Sequence, residues 1–517
     1  MALNIRSFLG KKENLILLGI LVLAAFLRLY RIADYMTFLG DEGRDVLTVK
    51  HILDGQFTLL GPRSSAADFY YGPIYFYMIA PFLFLFHYDP VGPAVFIGIL
   101  GVITVFLLYK IGKEFFGSIA GLVAAALYAI SPVIITYSHS SWNPNPLPFV
   151  SLLMLYTLYH GLKKPHWSRF GLVGFLLGIA LQLQYIALFL VIIVGVYTTI
   201  GTFLEEKKGA FLKLLKRFSA VAAGFLVGFS PFLAFEFHHG FPNTKTIINF
   251  MLGKYTPVDA PPVSALGQVI EVFFKLFGRL ITRFPEENSI HIFEKPDLMI
   301  WYISTLVLGL TTSILLFKIK DRLVKILFLC WLILGVGLFF LYKKEIFDYY
   351  LGFMFPLPFL IIGNSVGLLI RDKKDSLLRT VSIAIIICLI FMNLGGWPFR
   401  NPANRQKLQA QTIAEFVLQK AEGKPFNFAL ITPGNSDHAY RYFFEVEGNP
   451  PVTIQNPAID PERKTVTGQL LVVCEEVNCH PLGHPLFEVA SFGQADIVGE
   501  WNVSVVKVFK LIPYKGH

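Results

Sequence analysis

The chain has 517 residues, of which 54% are hydrophobic and only 15% charged, against about 25% charged in soluble globular proteins. Mean hydropathy is +0.58 and aromatics reach 15%, with 50 Phe and 22 Tyr, which excludes a disordered or ordinary water-soluble chain and points to helices packed in lipid with interfacial aromatic belts. The formal charge of +10 needs no nucleic acid to explain it, because Lys and Arg held in cytoplasmic loops account for it.

The first apolar run, Leu15 to Tyr30, follows Arg6, Lys11 and Lys12 and has no small-residue cleavage site after it, so it reads as a retained span. Basic flanks recur at Lys110 and Lys113, at Lys163, Lys164 and Arg169, from Lys207 to Arg217, from Lys318 to Lys325, and from Arg371 to Arg379. Holding all of them in the cytoplasm requires an even number of crossings between each pair. That requirement decides two ambiguous runs. Ile74 to His87 contains Pro81 and is shorter than the roughly 17 to 25 residues that span a bilayer, so it reads as an interfacial helix on the outer side. Phe170 to Phe203 is too long for one span and has a basic loop at each end. It folds as two short spans, with the turn near Gln182, Gln184 and Tyr185, polar side chains that an outer cavity hydrates and lipid does not.

The predicted fold class is an α-helical polytopic membrane protein of about 11 transmembrane helices plus juxtamembrane helices, with a small C-terminal α/β domain. The spans start near residues 15, 91, 119, 147, 170, 187, 218, 298, 326, 349 and 380. This leaves the N-terminus cytoplasmic and the C-terminal domain extracytoplasmic. Residues 1–397 form the transmembrane domain, with outer segments 34–90, 138–146 and 237–297, and residues 398–517 form the tail domain. Within the third outer segment Glu271, Lys275, Arg279 and Arg283 recur every fourth residue among apolar ones, which predicts an amphipathic helix lying on the membrane surface. In the tail, helices are expected at Gln406–Lys420 and His438–Val446, and strands at Phe426–Ile431, Gln469–Val473 and Val503–Leu511.

Cys330 and Cys388 sit in apolar runs and read as small buried hydrophobes. Cys474 and Cys479 lie in the polar tail, where a small local disulfide, if the tail is outside the cytoplasm, or free thiols are favoured over a metal site with His480 and His484, because the spacing is looser than that of common zinc sites.

The most unusual local sequence is Gly40-Asp41-Glu42-Gly43-Arg44-Asp45, directly after the first span. A helix starting here places both acids in its first turn, where its dipole favours them. The same outer segment continues with His51, Arg63, Asp68 and Phe69-Tyr70-Tyr71-Gly72-Pro73, so charged and aromatic groups converge at headgroup depth, where a lipid-linked phosphate would sit. The short loop Tyr137 to Pro146 adds His139, Trp142 and Asn143 as sugar-pocket candidates. Lys343, Lys344, Asp348, Tyr349 and Tyr350 form a further cluster at a membrane mouth. His438, Tyr440 and Arg441 of the tail read as a solvated helix face. No P-loop, G-x-G-x-x-G or H-E-x-x-H motif is present.

This pattern resembles the polytopic glycosyltransferases of the GT-C fold, and within them the branch of protein O-mannosyltransferases (glycosyltransferase family 39) and aminoarabinose transferases. The resemblance rests on the acidic pair Asp41-Glu42 after the first span, on Arg44, on Gly72-Pro73-Ile74-Tyr75 opening a juxtamembrane helix, and on the polar loop Ser138 to Asn145. Two departures stand out: relatives often carry Lys where this chain has Gly72, and Arg and Asp in the second loop where it has His139 and Asn143.

The resemblance implies transfer of a sugar from a polyprenyl-phosphate donor to an acceptor hydroxyl outside the cytoplasmic membrane, with inversion. For that chemistry Asp41 is the expected general base and Glu42 positions the acceptor or a neighbouring cation. Because the Lys that relatives carry is absent, donor phosphate and sugar fall to the groups this sequence offers: Arg44 (which either holds Asp41 or pairs with phosphate), Arg63, Tyr71, His139, Asn143, Lys343, Lys344 and Tyr350. The donor carries its own activation, so no cofactor is required; a divalent metal ion between carboxylates is compatible with the residues but not demanded by them. Expected partners are the lipid-linked donor, a glycan, lipid or protein acceptor, and the bilayer, with no nucleic acid. The competing classes are a transporter or flippase of lipid-linked sugars, whose ionisable residues belong at the midplane, and a polymerase or ligase of surface glycans.

Overall fold

The computed structural model describes residues 12–64, 68–206, 208–251, 264–282, 298–342, 344–371, 376–476, 478–514 and 516. Helices cover all the predicted spans: Lys12–Leu29, Val91–Phe116, Ser118–Ile130, Leu147–Lys163, Trp167–Leu183, Leu188–Glu205, Ala210–Gly228, Met299–Leu315, Arg322–Gly337, Pro356–Arg371 and Ser376–Leu394. By length and composition, 5 helices among the described residues suffice to cross a membrane, or up to 8 if each bent helix pair counts once. Of the rest, Lys12–Leu29 carries Lys12, Glu13 and Arg28, and Leu147–Lys163 and Trp167–Leu183 stop at 17 residues each. The Phe170–Phe203 run breaks as expected, with Gln184 in extended conformation between two helices.

The bends have local causes. Ser118–Ile130 and Pro132–Ser138 meet at 63°, because Pro132 cannot donate a backbone hydrogen bond and disfavours helix at the residue before it. The carbonyls freed there are taken by a buried arginine of the first span: Arg28 donates to Ala129 O at 2.9 Å and Tyr128 O at 3.3 Å.

Glycines set the tightest helix crossing. A Cβ at Gly174 would overlap the Val221 carbonyl, and one at Gly224 the Gly171 carbonyl, so Trp167–Leu183 and Ala210–Gly228 pack backbone to backbone.

The predicted surface helix is corrected. Ala265–Phe274 runs through a π turn at Lys275–Arg279 into Leu280–Thr282, and its charged stripe faces protein. Lys275 is buried, ion-paired with Glu271 at 3.0 Å and donating to the Ile346 carbonyl; Arg279 is buried against Asp348 at 2.6 Å. Leu266 points outward instead, 63% exposed. Four-residue spacing defines a face but not the side it meets, and here partners on 344–348 satisfy the charges. Arg283 lies outside the described residues. Cys330 is buried as expected, whereas Cys388 is exposed on a helix that is little covered by protein.

In the tail, Gln406–Ala421 and His438–Val446 are helices, and four strands pair in the order β1-β2-β4-β3: β1 Asn427–Ile431, β2 Leu470–Cys474, β3 Ala495–Val503 and β4 Val506–Pro513. β1 and β2 are parallel and wholly buried, and the other pairings are antiparallel. β3 and the helix Phe487–Phe492 had no strong sequence signal; β3 is an edge strand with mostly partly exposed residues. Cys474 and Cys479 are joined in a disulfide.

The tail docks directly on the segment 34–90. Lys407 pairs with Asp89 at 2.8 Å, Tyr442 donates to the Tyr88 carbonyl at 2.5 Å, and buried Phe38 meets the rings of Tyr442 and Phe443.

Candidate active site

The acidic cluster opens the helix Gly40–Leu53. Leu39 before it has no capping side chain, so the first turn is held from elsewhere. Glu42 accepts the Leu39 amide at 3.1 Å through Oε2 and the Ser140 hydroxyl at 2.7 Å through Oε1. It thereby ties the acidic segment to the loop 138–146. Burial raises the Glu42 carboxyl above its usual range, against those two donors.

Arg44 lies between two carboxylates. Its Nη1 donates to Asp41 Oδ1 at 2.7 Å, while Nη2 and Nε donate to Asp45 Oδ1 at 2.7 and 3.0 Å. Asp45 is wholly buried and its Oδ2 has no partner; burial pushes its carboxyl up to about 7, although Arg44 pulls the other way. Asp41 is different, with a side chain 53% exposed. It faces a cleft of about 460 Å³ lined by Asp41, Glu42, Ser140, Trp142, Asn435 and Ser436, among others. Three distant parts of the chain thus close around one half-exposed carboxylate.

The other predicted site residues divide. Tyr71 is half-buried, donates to Gln184 Oε1 at 2.9 Å and stacks on Tyr185; burial raises its phenol, and Tyr350 and Arg44 are among the groups acting on it electrostatically. Tyr350 is buried among Tyr342, Phe347 and Tyr349, and Tyr349 meets the cleft ring Trp142 at 4.5 Å between centroids. Arg44, Tyr71 and Tyr350 therefore belong to one neighbourhood. Arg63 is exposed and paired with Asp68 at 3.0 Å. His139 turns inward, its Nε2 3.0 Å from the Leu27 carbonyl, and burial pushes its imidazole down to about 4. Asn143 is buried and donates to the Leu183 carbonyl at 2.7 Å. These two brace the loop rather than line the cleft. The Lys344 carbonyl accepts from Gln268 Nε2 at 2.8 Å, which fixes the backbone of its segment. Lys343 lies outside the described residues.

Gly72 has a steric reason. A Cβ there would overlap the side chain of Gln182, whose Oε1 accepts the Ile74 amide at 3.2 Å and whose Nε2 donates to the Gly228 carbonyl at 2.6 Å. The polar turn of the broken span thus pins the entry to the juxtamembrane helix Ile74–Leu85.

The tail helix read as solvated is instead docked. A Cβ at Gly43 would overlap the backbone of Ala439, so only glycine admits this approach. Tyr440 is buried and donates to Glu475 at 2.8 Å, His51 pairs with Glu445 at 2.7 Å, and His438 Nδ1 lies 2.8 Å from Ser436 Oγ. Burial lowers the His438 imidazole, and Arg44 and Asp41 both act on it. Asn435 and Ser436 carried no usable sequence signal, because they lie almost four hundred residues from their partners at the cleft.

Among the described residues no three His, Cys, Asp or Glu side chains cluster to hold a metal ion. Arg44 occupies the space between Asp41 and Asp45, and Glu42 is engaged by Ser140 and Leu39, so the acids present do not converge on an open cation position.

Three matches bear on this architecture. The structure of ArnT from Cupriavidus metallidurans bound to undecaprenyl phosphate aligns with a TM-score of 0.61 at 10% identity, over 96% of this chain and 97% of that one. The chain has the GT-C fold. The archaeal oligosaccharyltransferase AglB from Archaeoglobus fulgidus, in complex with an inhibitory peptide and a dolichol-phosphate, shares the fold with a TM-score of 0.55 at 12% identity, over 90% of this chain and 70% of that one. Residues 71–235 match the family of dolichyl-phosphate-mannose-protein mannosyltransferases. No curated protein matches the sequence.

Proposed function

We propose that this GT-C protein is an integral-membrane glycosyltransferase that moves a sugar from a polyprenyl-phosphate donor to an acceptor hydroxyl in the extracytoplasmic cleft. The observation that carries the reading is Asp41, a half-exposed carboxylate held by Arg44 at the edge of a cleft beside the membrane mouth. The family match over residues 71–235 and the fold shared with ArnT bound to undecaprenyl phosphate and AglB in complex with a dolichol-phosphate support it.

The reaction is an inverting single displacement. The acceptor oxygen attacks the anomeric carbon, its proton passes to Asp41, and the bond from that carbon to the phosphate oxygen breaks with its electron pair going to the phosphate. Arg44 orients Asp41. Trp142 and Tyr137 supply rings for a sugar face, and Tyr71 and Tyr350, with the cations Arg63, Lys343 and Lys344 of the sequence, are the proposed groups for donor recognition. The acceptor is a glycan, lipid or protein hydroxyl. The tail and its disulfide lie outside the cytoplasm, where such bonds persist.

The test is transfer of radiolabelled sugar from a panel of polyprenyl-phosphate sugars in membranes carrying the native chain or Asp41→Asn at matched expression. Transfer or donor turnover by the native chain that falls at least about a hundredfold in the variant is the expected result, the range of a lost general base. Intact donor that merely changes leaflet would instead assign a flippase.

A further inference from the structure

The first turn of the acidic helix has one local tie, Glu42 accepting the Leu39 amide, but no capping side chain at Leu39. Leu39 offers no acceptor, yet the Gly40 amide is satisfied by the tail: it donates to Asn435 Oδ1 at 2.9 Å. A helix start leaves its first amides without intrahelical partners, and a side-chain oxygen that accepts one is worth a large share of that turn's stability.

Asn435 is itself held at both ends. Its Oδ1 also accepts the Ser436 amide at 2.9 Å, and its Nδ2 donates to Glu475 Oε1 at 3.1 Å. Glu475 further accepts from Thr432 Oγ1 at 2.7 Å and from the Tyr440 phenol at 2.8 Å, and Thr432 Oγ1 accepts the Asn435 amide at 3.2 Å. Glu475 follows Cys474, the last residue of β2 and one end of the disulfide, and its amide donates to the Ile431 carbonyl at 2.9 Å. The amide group of Asn435 is therefore fixed in position and in orientation by the sheet. Gly40 fits because a Cβ would meet Ser436 and the Asn435 oxygen.

We infer that Asn435, oriented by Glu475, is a positioning residue that caps the Gly40–Leu53 helix from the tail and thereby sets the place of Asp41 in the cleft. Asp41 is the next residue after the capped amide, so fraying of that turn carries its carboxylate away from Arg44 and from the cleft wall. This gives the tail a role in the transfer reaction proposed above, on which its kinetic consequence rests; the structural consequence does not.

The experiment uses the full chain in lipid nanodiscs. In Asn435→Ala, amide hydrogen exchange across Gly40–Arg44 quickens roughly 3- to 30-fold, the span of one lost cap, while exchange in Leu147–Lys163 is unchanged. Where transfer is measurable, kcat falls by a similar factor with KM within about twofold, because the ground-state pocket survives. The double variant Asn435→Asp with Glu475→Gln exchanges the amide and the acid, keeps an acceptor for Gly40 and restores the side-chain pair, so it recovers both readouts to within about threefold of native. Unchanged exchange in Asn435→Ala, or a double variant no better than Asn435→Ala, overturns the inference. A native chain that leaves every donor intact overturns the transferase reading instead, and the exchange result still decides the role of Asn435.

Discussion

Asp45 offers the sharpest electrostatic test. It is wholly buried, one oxygen takes two Arg44 donors, the other has no partner, and burial pushes its carboxyl from the usual 3.8 to about 7. That displacement corresponds to about 4 kcal/mol, an upper figure. The folded chain keeps a proton that the unfolded chain has released, so this stability is present in full below about pH 4, is lost progressively as pH rises toward about 7, and is constant above that. Asp45→Asn mimics the protonated form at every pH. Thermal unfolding in nanodiscs between pH 4 and pH 8 should therefore show native and variant similar at the acid end. The variant should gain as pH rises, by up to about 4 kcal/mol. Transfer should lose any component titrating near neutrality, since Arg44 no longer divides its charge between Asp41 and an ionised Asp45. Parallel stability profiles, or a native chain that gains on the variant with rising pH, would refute the reasoning.

Ser140→Ala removes the donor to buried Glu42 Oε1; it should cost about 1 to 3 kcal/mol, read as a lowered melting temperature, and the loss should grow as pH rises because the raised Glu42 carboxyl is then forced to ionise without its partner. Gly174→Val places atoms against the Val221 carbonyl and should destabilise by about 3 kcal/mol or more, seen as loss of monodisperse protein in size-exclusion chromatography. A variant that stays monodisperse and melts like the native chain would show that the crossing is looser than the backbone contact implies.

Much of the scaffold was legible because its signals are local. Apolar length and basic flanks located the helices, the polar break at Gln184 divided a run too long for one span, and Asp41 and Glu42 marked one wall of the cleft. The failures share a cause. His139 and Asn143 have the chemistry of sugar ligands, yet their side chains point inward to the Leu27 and Leu183 carbonyls. Lys275 and Arg279 have the spacing of a surface helix, yet Ile346 and Asp348 receive them inside the protein.

Local sequence determined where helices form and which residues carry charge, because helical periodicity, proline and span length act within a few turns of chain. Tertiary structure alone decided which polar groups meet. Glu42 finds Ser140, Gly40 finds Asn435 and Gly43 admits Ala439 only once the loop 138–146 and the tail are packed on the acidic helix. A polar side chain's role depends on its partner, and hydrogen bonds and burial act across space, where sequence distance carries no information.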